Sequence, residues 1–351
     1  MTSYRILIVA NHVPFIKGGA EAHVEGLVSA LRAEGHEVDV LRLPFKFEDR
    51  AYLEQLMNFV EGMDLQNFNG YRVDRVISLL FPGFAAQHPS HVSWVIHQHR
   101  AVYDLYKPEM ASDDLRYLKE KITAFDQNAF SSKQAVFANS GNVAKRLLKY
   151  TGVDSKPLYH PPPGAGNFYC ADVALPYVFF PSRIEVLKRQ DLLLKAAQLM
   201  KSDLKIILSG SGSQAHVLHS EIEALQLQGK VRFVGSLSEE EKHAFYAKSS
   251  AVFFGPYDED LGYVTLEAML SSKPVITCTD SGGPLEFVEH QVNGWVVNPD
   301  PQCIADVLDQ IAANPTLARD YGRAARQRYN ELDISWSNVV KSLLAGAEVL
   351  R

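Results

Sequence analysis

The first forty residues constrain the fold most, because they read as a strand, a helix and a second strand with short connections. Residues 5–10 are an apolar run typical of a parallel strand buried on both faces. Apolar residues then recur at helical spacing through 20–34, Gly35 is placed to end that helix, and 37–41 has the pattern of the next strand. This βαβ unit predicts a parallel sheet.

The same alternation continues along the chain and predicts α/β architecture with two doubly wound, Rossmann-like domains facing a central cleft. The prolines and glycines of 158–166 break regular structure, so the boundary is placed just after them. We predict a first domain over 1–170 and a second over 171–335. The pattern leaves open which domain the final helix, 336–351, packs on; packing back on the first domain is one option. The strands expected in the second domain are 177–180, 205–209, 231–234, 251–254, 275–278 and 294–297. The helices expected between them are 190–200, 214–227, 239–247, 263–270 and 284–290.

Composition narrows the functional class. Apolar residues make up 46% and charged residues 22% of the 351, as in soluble globular proteins, and no run approaches the roughly 18 apolar residues of a membrane span. The N-terminal apolar stretch is too short for a signal peptide, and three widely spaced cysteines favour neither disulfides nor zinc. We therefore expect a reducing, cytoplasmic location.

Charge is distributed unevenly. Residues 1–170 carry 18 basic and 18 acidic side chains, and the remainder carries 17 and 23, which accounts for the net charge of −6. No basic surface typical of nucleic-acid binding is indicated, so no nucleic-acid partner is expected. An anionic ligand would have to be held by local groups.

Two glycine-containing loops join predicted strands to helices. Gly18 and Gly19 precede the first helix, where glycines allow close backbone approach and the helix N-terminus favours an anion. Gly210 and Gly212 form a similar loop that could lie against a flat base. The dinucleotide fingerprint GxGxxG is missing, and simple tight turns explain these loops about as well.

Two further strand ends carry candidate ligand-binding side chains. Arg183 and Lys188 lie between a strand and a helix, where two cations suit a diphosphate, although a solvated basic turn is an alternative. His97 and His99 end a strand in the first half; either is a cleft residue or a buried core histidine. No further ligands at a recognisable spacing support a metal site there.

The stretch DEDLGYVTLE, residues 258–267, runs from an acidic loop into an apolar helix. Glu259 in the loop and Glu267 in the helix could accept hydrogen bonds from sugar and ribose hydroxyls, while the amides of Gly262, Tyr263 and Val264 meet phosphate. An acidic first helical turn stabilised by the macrodipole explains Asp258 to Asp260 but not a carboxylate at position 267 among apolar neighbours.

Together these residues resemble the glycosyltransferase family 4 proteins, which are retaining enzymes with the GT-B fold. The most specific match is E-x7-E at Glu259 and Glu267. Supporting matches are GGAE at 18–21, GHEV at 35–38, NS at 139–140, SGSG at 209–212, VRFVG at 231–235, KPVI at 273–276, GG at 282–283 and NG at 293–294. The family often has EGFG where this chain has EDLG at 259–262, so Asp260 and Leu261 are departures that could affect sugar selection.

The resemblance implies a hexosyltransferase that takes a UDP- or GDP-linked sugar, with no required cofactor or metal. It implies that Arg183 and Lys188 hold the donor diphosphate, that Glu267 binds the ribose and that Glu259 contacts the sugar. Residues 260–264 would add sugar and phosphate contacts, Gly18 and Gly19 would close over the phosphates, and His97 would be the cleft histidine. A glycan or lipid-linked acceptor in cell-surface polysaccharide or glycolipid synthesis is expected.

Two other functions use the same fold. A sugar-nucleotide epimerase would turn over without an acceptor, and a non-catalytic GT-B pair would bind glycan or protein. The basic segment 145–150 could contact an anionic membrane surface peripherally, although a solvated basic helix explains it equally well.

Overall fold

The computed structural model describes residues 3–15, 18–47 and 49–345 and divides into two compact units. The first unit comprises the chain up to Pro163 together with the segment from Ser335, and the second comprises Gly164–Ile334. Each is described separately, with strands and helices numbered in chain order.

The first unit contains a six-stranded sheet in the order β2-β1-β5-β6-β7-β8, and its strand pairings are parallel. Its elements are β1 Arg5–His12, α1 Gly19–Ala33, β2 Glu37–Pro44, α2 Arg50–Glu61, β3 Asn67–Phe68, β4 Tyr71–Arg72, β5 Arg75–Leu80, β6 His91–His97, α3 Asp113–Ser131, β7 Ala135–Ala138, α4 Gly141–Thr151 and β8 Lys156–Pro157.

Successive residues of β1 point to opposite faces of this sheet, as the two-residue period of a strand requires. Val9 lies in an apolar cluster with residues of α2, α3 and α4, whereas Ile8 lies in a second cluster with residues of α1. A central strand buried on both faces explains why residues 5–10 are continuously apolar.

The second unit repeats this architecture with a parallel sheet in the order β11-β10-β9-β12-β13-β14. Its elements are β9 Tyr177–Pro181, α5 Gln190–Leu199, β10 Lys205–Ser209, α6 Ala215–Ala224, β11 Val231–Phe233, α7 Glu239–Lys248, β12 Ala251–Phe253, α8 Tyr263–Leu270, β13 Val275–Cys278, β14 Gly294–Val297, α9 Pro301–Ala313 and α10 Pro315–Glu331. The prediction of two doubly wound α/β domains is thereby confirmed.

Two local predictions differ from the structure. The helix expected over 284–290 is a short 3-10 turn, Gly283–Glu286, and the chain then returns through Asn293, whose side-chain amide donates to the Phe287 carbonyl at 3.0 Å. The division between units falls after Pro163, not after residue 170. Phe168 packs its ring on His243 at 4.4 Å between ring centres, and Ala171 donates to the Ala247 carbonyl, so this segment belongs to the second unit.

The last described helix, α11 Trp336–Leu344, lies in the first unit. A Cβ on Gly26 of α1 would fall 2.2 Å from the Trp336 ring, so glycine is needed for the two helices to approach closely. The buried Arg75 donates to the Leu343 carbonyl at 2.6 Å and satisfies the C-terminal end of α11. Residues 346–351 of the predicted terminal helix lie outside the described residues.

Among the described residues, no helix is both long and apolar enough to cross a bilayer.

Candidate functional site

The predicted ligand-binding residues of the second unit come from the loops that follow β9, β10 and β12, and from α8, which follows the last of these loops. In an open parallel sheet these loops lie at the carboxyl edge, where ligands bind. The loop after β13, residues 279–283, lies beside them through backbone hydrogen bonds. The sheet therefore brings residues from distant parts of the sequence to one edge.

The loop after β9 presents two cations. Arg183 is exposed just beyond the strand, and Lys188 lies in a 3-10 turn, Val186–Lys188. The Lys188 ammonium donates a charge-assisted hydrogen bond to the carboxylate of Glu259. Both side chains are half-buried, so the pair remains within reach of solvent and of a ligand.

The acidic stretch is fixed through its backbone. The amides of Asp258 and Glu259 donate to the carbonyls of Asp280 and Ser281, each at 2.9 Å, and the Glu259 carbonyl accepts from Gly283 at 2.9 Å. A Cβ on Gly283 would lie 2.5 Å from the Asp260 carbonyl oxygen, so this position requires glycine. The Glu259 backbone is consequently held in one place beside Lys188.

Arg189 is one of the residues of this site that the sequence did not indicate. Its guanidinium donates to both carboxylate oxygens of Asp280 at 2.7 and 2.8 Å, and to the carbonyls of Gly255 and Pro256 at 2.8 Å. It therefore joins the loops after β9, β12 and β13. Its backbone is left-handed, with φ of 55°, a conformation unusual for a non-glycine residue and the one structural hint of a special role.

The loop after β12 passes into α8 through Gly262, which has φ of 86° and occupies the N-cap. The amides of Tyr263 and Val264 lie in the first turn of α8, where an anion is favoured. Leu261 is only 4% exposed, so any ligand contact it makes would come from its backbone; Asp260 beside it is half-buried.

Glu267 is buried within α8 and its two carboxylate oxygens have different partners. The Tyr246 hydroxyl donates to one oxygen at 2.6 Å, and the Lys242 ammonium contacts the other at 3.5 Å. Burial and the adjacent Glu267 carboxylate raise the pKa of Tyr246 well above its ordinary value. Lys242 also pairs with Glu239 at 2.9 Å, and these carboxylates raise its pKa although burial opposes the shift. Lys242 and Tyr246, both on α7, orient Glu267, and neither was singled out from the sequence.

The glycines after β10 have a structural explanation. A Cβ on Gly210 would lie 1.9 Å from the Ser182 carbonyl oxygen, and one on Gly212 would lie 2.3 Å from that of Ile184. The Ile184 amide donates to the Ser211 carbonyl at 2.9 Å, so the loops after β9 and β10 run side by side. Loop packing alone accounts for glycine at both positions.

In the first unit, the two candidate histidines have different environments. His99 is buried beside Phe45 and Phe81, at ring-centre distances of 6.0 and 5.4 Å, and burial lowers its pKa to about 4. His97 is half-buried, with Nδ1 2.8 Å from the Gln98 carbonyl oxygen. His99 is thus a core histidine, and His97 is the more accessible of the two.

Gly18 and Gly19 lie where the sequence places them, at the start of α1. Gly18 has an extended backbone, with φ of −170°, and a Cβ there would meet nothing within 4 Å. Neither strain nor crowding within the described residues requires glycine at position 18.

Asp258 and Asp260 have the D-x-D spacing that can hold a divalent metal ion. Within the described parts of the chain, no group of three or more histidine, cysteine, aspartate or glutamate side chains is arranged to hold a metal ion.

The second unit matches a known family. Residues 172–328 match the family model described as "Glycosyl transferases group 1". The match includes Arg183, Lys188, Glu259 and Glu267.

Curated relatives are similar over part of their length. The human alpha-1,3/1,6-mannosyltransferase is 33% identical over 114 residues, which are 32% of this chain and 27% of the relative. An uncharacterized glycosyltransferase of Methanocaldococcus jannaschii is 28% identical over 169 residues, 47% of this chain and 42% of the relative. A D-inositol 3-phosphate glycosyltransferase of Corynebacterium diphtheriae is 27% identical over 173 residues, 47% and 40% of the two chains. The chain thus spans less than half the length of these relatives.

Solved structures match almost the whole chain. Anabaena HepE in complex with UDP and glucose superposes with a TM-score of 0.73 and 18% identity, covering 99% of this chain and 100% of the other. The sucrose-phosphate synthase of Thermosynechococcus elongatus superposes with a TM-score of 0.75 and 19% identity, covering 96% and 98%. The protein therefore has the GT-B fold.

Proposed function

We propose that this protein is a retaining glycosyltransferase of family 4 that transfers a hexose from a nucleotide-diphosphate sugar. The observation that carries the proposal is the charged carboxyl edge of the second unit, where Lys188 and Arg183 accompany Glu259 and Glu267 within the segment that matches the glycosyltransferase model. Cations can bind phosphates, and the neighbouring carboxylates can accept hydrogen bonds from sugar hydroxyls. Together they suit a ligand that has both phosphates and sugar rings.

Each residue has a separate proposed role in donor binding. Arg183 and Lys188 hold the diphosphate, and the amides of residues 262–264 contribute at the start of α8. Glu267, oriented by Tyr246 and Lys242, accepts from the ribose hydroxyls. Glu259 accepts from the transferred sugar, and Asp260 beside it affects which sugar is preferred.

The first unit contributes the acceptor side in this proposal. His97 contacts the reacting sugar, because its ring is more accessible than that of His99. Gly18 and Gly19 approach the phosphates with their backbone.

The transfer needs no covalent enzyme intermediate. The bond between the anomeric carbon and the diphosphate oxygen breaks, and the acceptor oxygen forms its bond on the same face. The acceptor proton passes to the departing phosphate oxygen. The protein supplies positioning and cations that stabilise the developing charge on the diphosphate.

UDP- and GDP-linked sugars are the proposed donors, and no additional cofactor is required. Anabaena HepE is known in complex with UDP, with UDP and glucose, and with UDP-glucose, which supports the choice of probes. The proposed acceptor is a glycan or a lipid-linked glycan in cytoplasmic synthesis of a cell-surface polysaccharide or glycolipid.

Peripheral membrane contact is proposed through α4. Lys145, Leu148 and Lys149 are exposed and follow helical spacing on one face, whereas Arg146 is buried and cannot join this surface. Co-sedimentation with anionic vesicles at low salt, lost at high salt or in Lys145→Glu, would support the contact; no co-sedimentation at low salt would refute it.

Product analysis tests the catalytic proposal directly. The full chain is incubated with UDP- and GDP-sugars, with and without glycan acceptors. Acceptor-dependent release of nucleoside diphosphate with a glycosylated product supports transfer, and Glu267→Ala and Arg183→Ala should abolish it together with donor binding. A changed sugar nucleotide formed without acceptor would instead establish an epimerase, and binding without turnover would indicate a non-catalytic protein.

A further inference from the structure

Lys188 and Arg189 are consecutive cations that are held in different ways. The Arg189 guanidinium makes four hydrogen bonds, to both oxygens of Asp280 and to two loop carbonyls, and this geometry fixes it. The Lys188 ammonium donates to a carboxylate oxygen of Glu259. An ammonium on a flexible stem exchanges partners more readily than a bidentate guanidinium. Of these two cations, Lys188 is therefore the one that an incoming anion can take over.

Ligands can reach both partners of this pair. The Lys188 and Glu259 side chains retain 18% and 20% of their exposure. A diphosphate carries more negative charge than a single carboxylate, so it is the stronger partner for Lys188.

The backbone of Glu259 stays in place when Lys188 changes partner. Its backbone is bonded on one side to Ser281 and on the other to Gly283, each at 2.9 Å. An ionised carboxylate is an acceptor only and repels a phosphate placed beside it, and added hydrogen-bond donors offset this cost. The hydroxyls of the transferred sugar add such donors, and they are absent once this sugar has left.

We propose that the Lys188–Glu259 ion pair lets the site distinguish the sugar nucleotide from the spent nucleoside diphosphate. With the sugar nucleotide bound, the diphosphate holds Lys188 and the sugar hydroxyls donate to Glu259. After transfer the hydroxyls leave with the product, Glu259 recaptures Lys188, and the diphosphate is released. This inference rests on the proposed function and adds product release to the role of Glu259.

The inference predicts that removing the charge of Glu259 tightens product binding. Calorimetry with UDP and GDP should show Glu259→Gln binding the preferred diphosphate about tenfold more tightly than the unmodified protein, because Lys188 is no longer contested. UDP-glucose and GDP-mannose should gain less or lose affinity. The diphosphate should also inhibit turnover by Glu259→Gln more strongly than turnover by the unmodified protein.

Glu185→Gln is the matched control. Glu185 lies in the same loop, but its carboxylate accepts from the Ser213 amide at 3.2 Å and hydroxyl at 2.7 Å. Removing this charge changes the local field without freeing Lys188, so the gain in diphosphate affinity should be below about threefold.

Three results would overturn the inference. Unchanged or weaker diphosphate binding in Glu259→Gln, with clear binding by the unmodified protein, refutes the ion-pair exchange alone. An equal gain in diphosphate affinity in Glu185→Gln would show that the effect comes from net charge, and would also refute the ion-pair exchange. If the unmodified protein binds neither diphosphate nor sugar nucleotide, the proposed function itself fails, and the inference with it.

Discussion

Each unit has its own six-stranded parallel sheet, but several titratable groups of the two units have different environments. In the second unit three acids at and near the carboxyl edge of the sheet are paired with cations. The pairs are Lys188–Glu259, Arg189–Asp280 and Lys242–Glu267.

In the first unit, burial drives several groups toward their neutral forms. It lowers the pKa of His91 to about 3 and those of His99 and His160 to about 4. It raises the pKa of Asp126 to about 7, although the Tyr103 hydroxyl donates to this carboxyl and opposes the shift.

The difference indicates which unit can bind an anion. A half-buried cation beside an acid can take a phosphate as a new partner, whereas a neutral buried group offers no charge to a ligand. The buried histidines and Asp126 of the first unit are therefore structural groups, and the nucleotide diphosphate belongs to the second unit in our proposal.

The largest expected effect concerns Asp126. The pKa of Asp126 is higher in the folded protein than in the unfolded chain, so folding favours the neutral carboxyl. The contribution of Asp126 to the free energy of unfolding therefore falls as pH rises from about 4 to about 7. Asp126→Asn keeps an acceptor for Tyr103 and removes this dependence. It should stabilise the first unit at pH 8 by about 2 to 4 kcal/mol and have little effect at pH 4.5. Hydrogen exchange of the α3 amides measures this; equal effects at both pH values would show that Asp126 is not held neutral.

Arg189→Ala should come next and should act on the second unit. It removes four hydrogen bonds and leaves Asp280 without its guanidinium, at a cost of about 2 to 4 kcal/mol in the free energy of unfolding. Chemical denaturation measures the loss.

Two variants calibrate that result. Arg189→Gly suits the left-handed backbone and should recover about 1 kcal/mol relative to Arg189→Ala. Arg326→Ala removes one hydrogen bond to the Leu270 carbonyl and should cost about 1 kcal/mol. If Arg189→Ala were no less stable than Arg326→Ala, this would refute the proposal that Arg189 stabilises the unit by joining the loops after β9, β12 and β13.

Tyr246→Phe should have the smallest effect, about 1 kcal/mol in stability, because Lys242 still contacts Glu267. Nucleotide affinity should fall about fivefold as the carboxylate loses its orientation. Tyr177→Phe is the control, since it removes a hydroxyl hydrogen bond to the neighbouring Phe245 carbonyl that does not involve Glu267. Equal nucleotide affinities of the two variants would contradict the orienting role of Tyr246.

Local patterns in the sequence predicted the two sheets and the elements that carry the candidate site residues. Apolar runs placed the strands, and the turn from Gly262 into α8 placed Glu259 in a loop and Glu267 in a helix, as the structure has them. Arg189 could not be found this way, because its partner Asp280 is 91 residues away and the two meet only across folded loops. Tyr246 and Lys242 were missed for the same reason.

The central claim is that the charged edge of the second unit binds a nucleoside diphosphate. Calorimetry of the full chain with UDP and GDP, alone and as sugar nucleotides, tests it most directly. We predict micromolar binding of one base series, weakened about 100-fold in Lys188→Ala and unchanged in Lys195→Ala, which removes only an exposed pair with Asp191. No binding to the unmodified protein, or equal binding to Lys188→Ala, would contradict the claim.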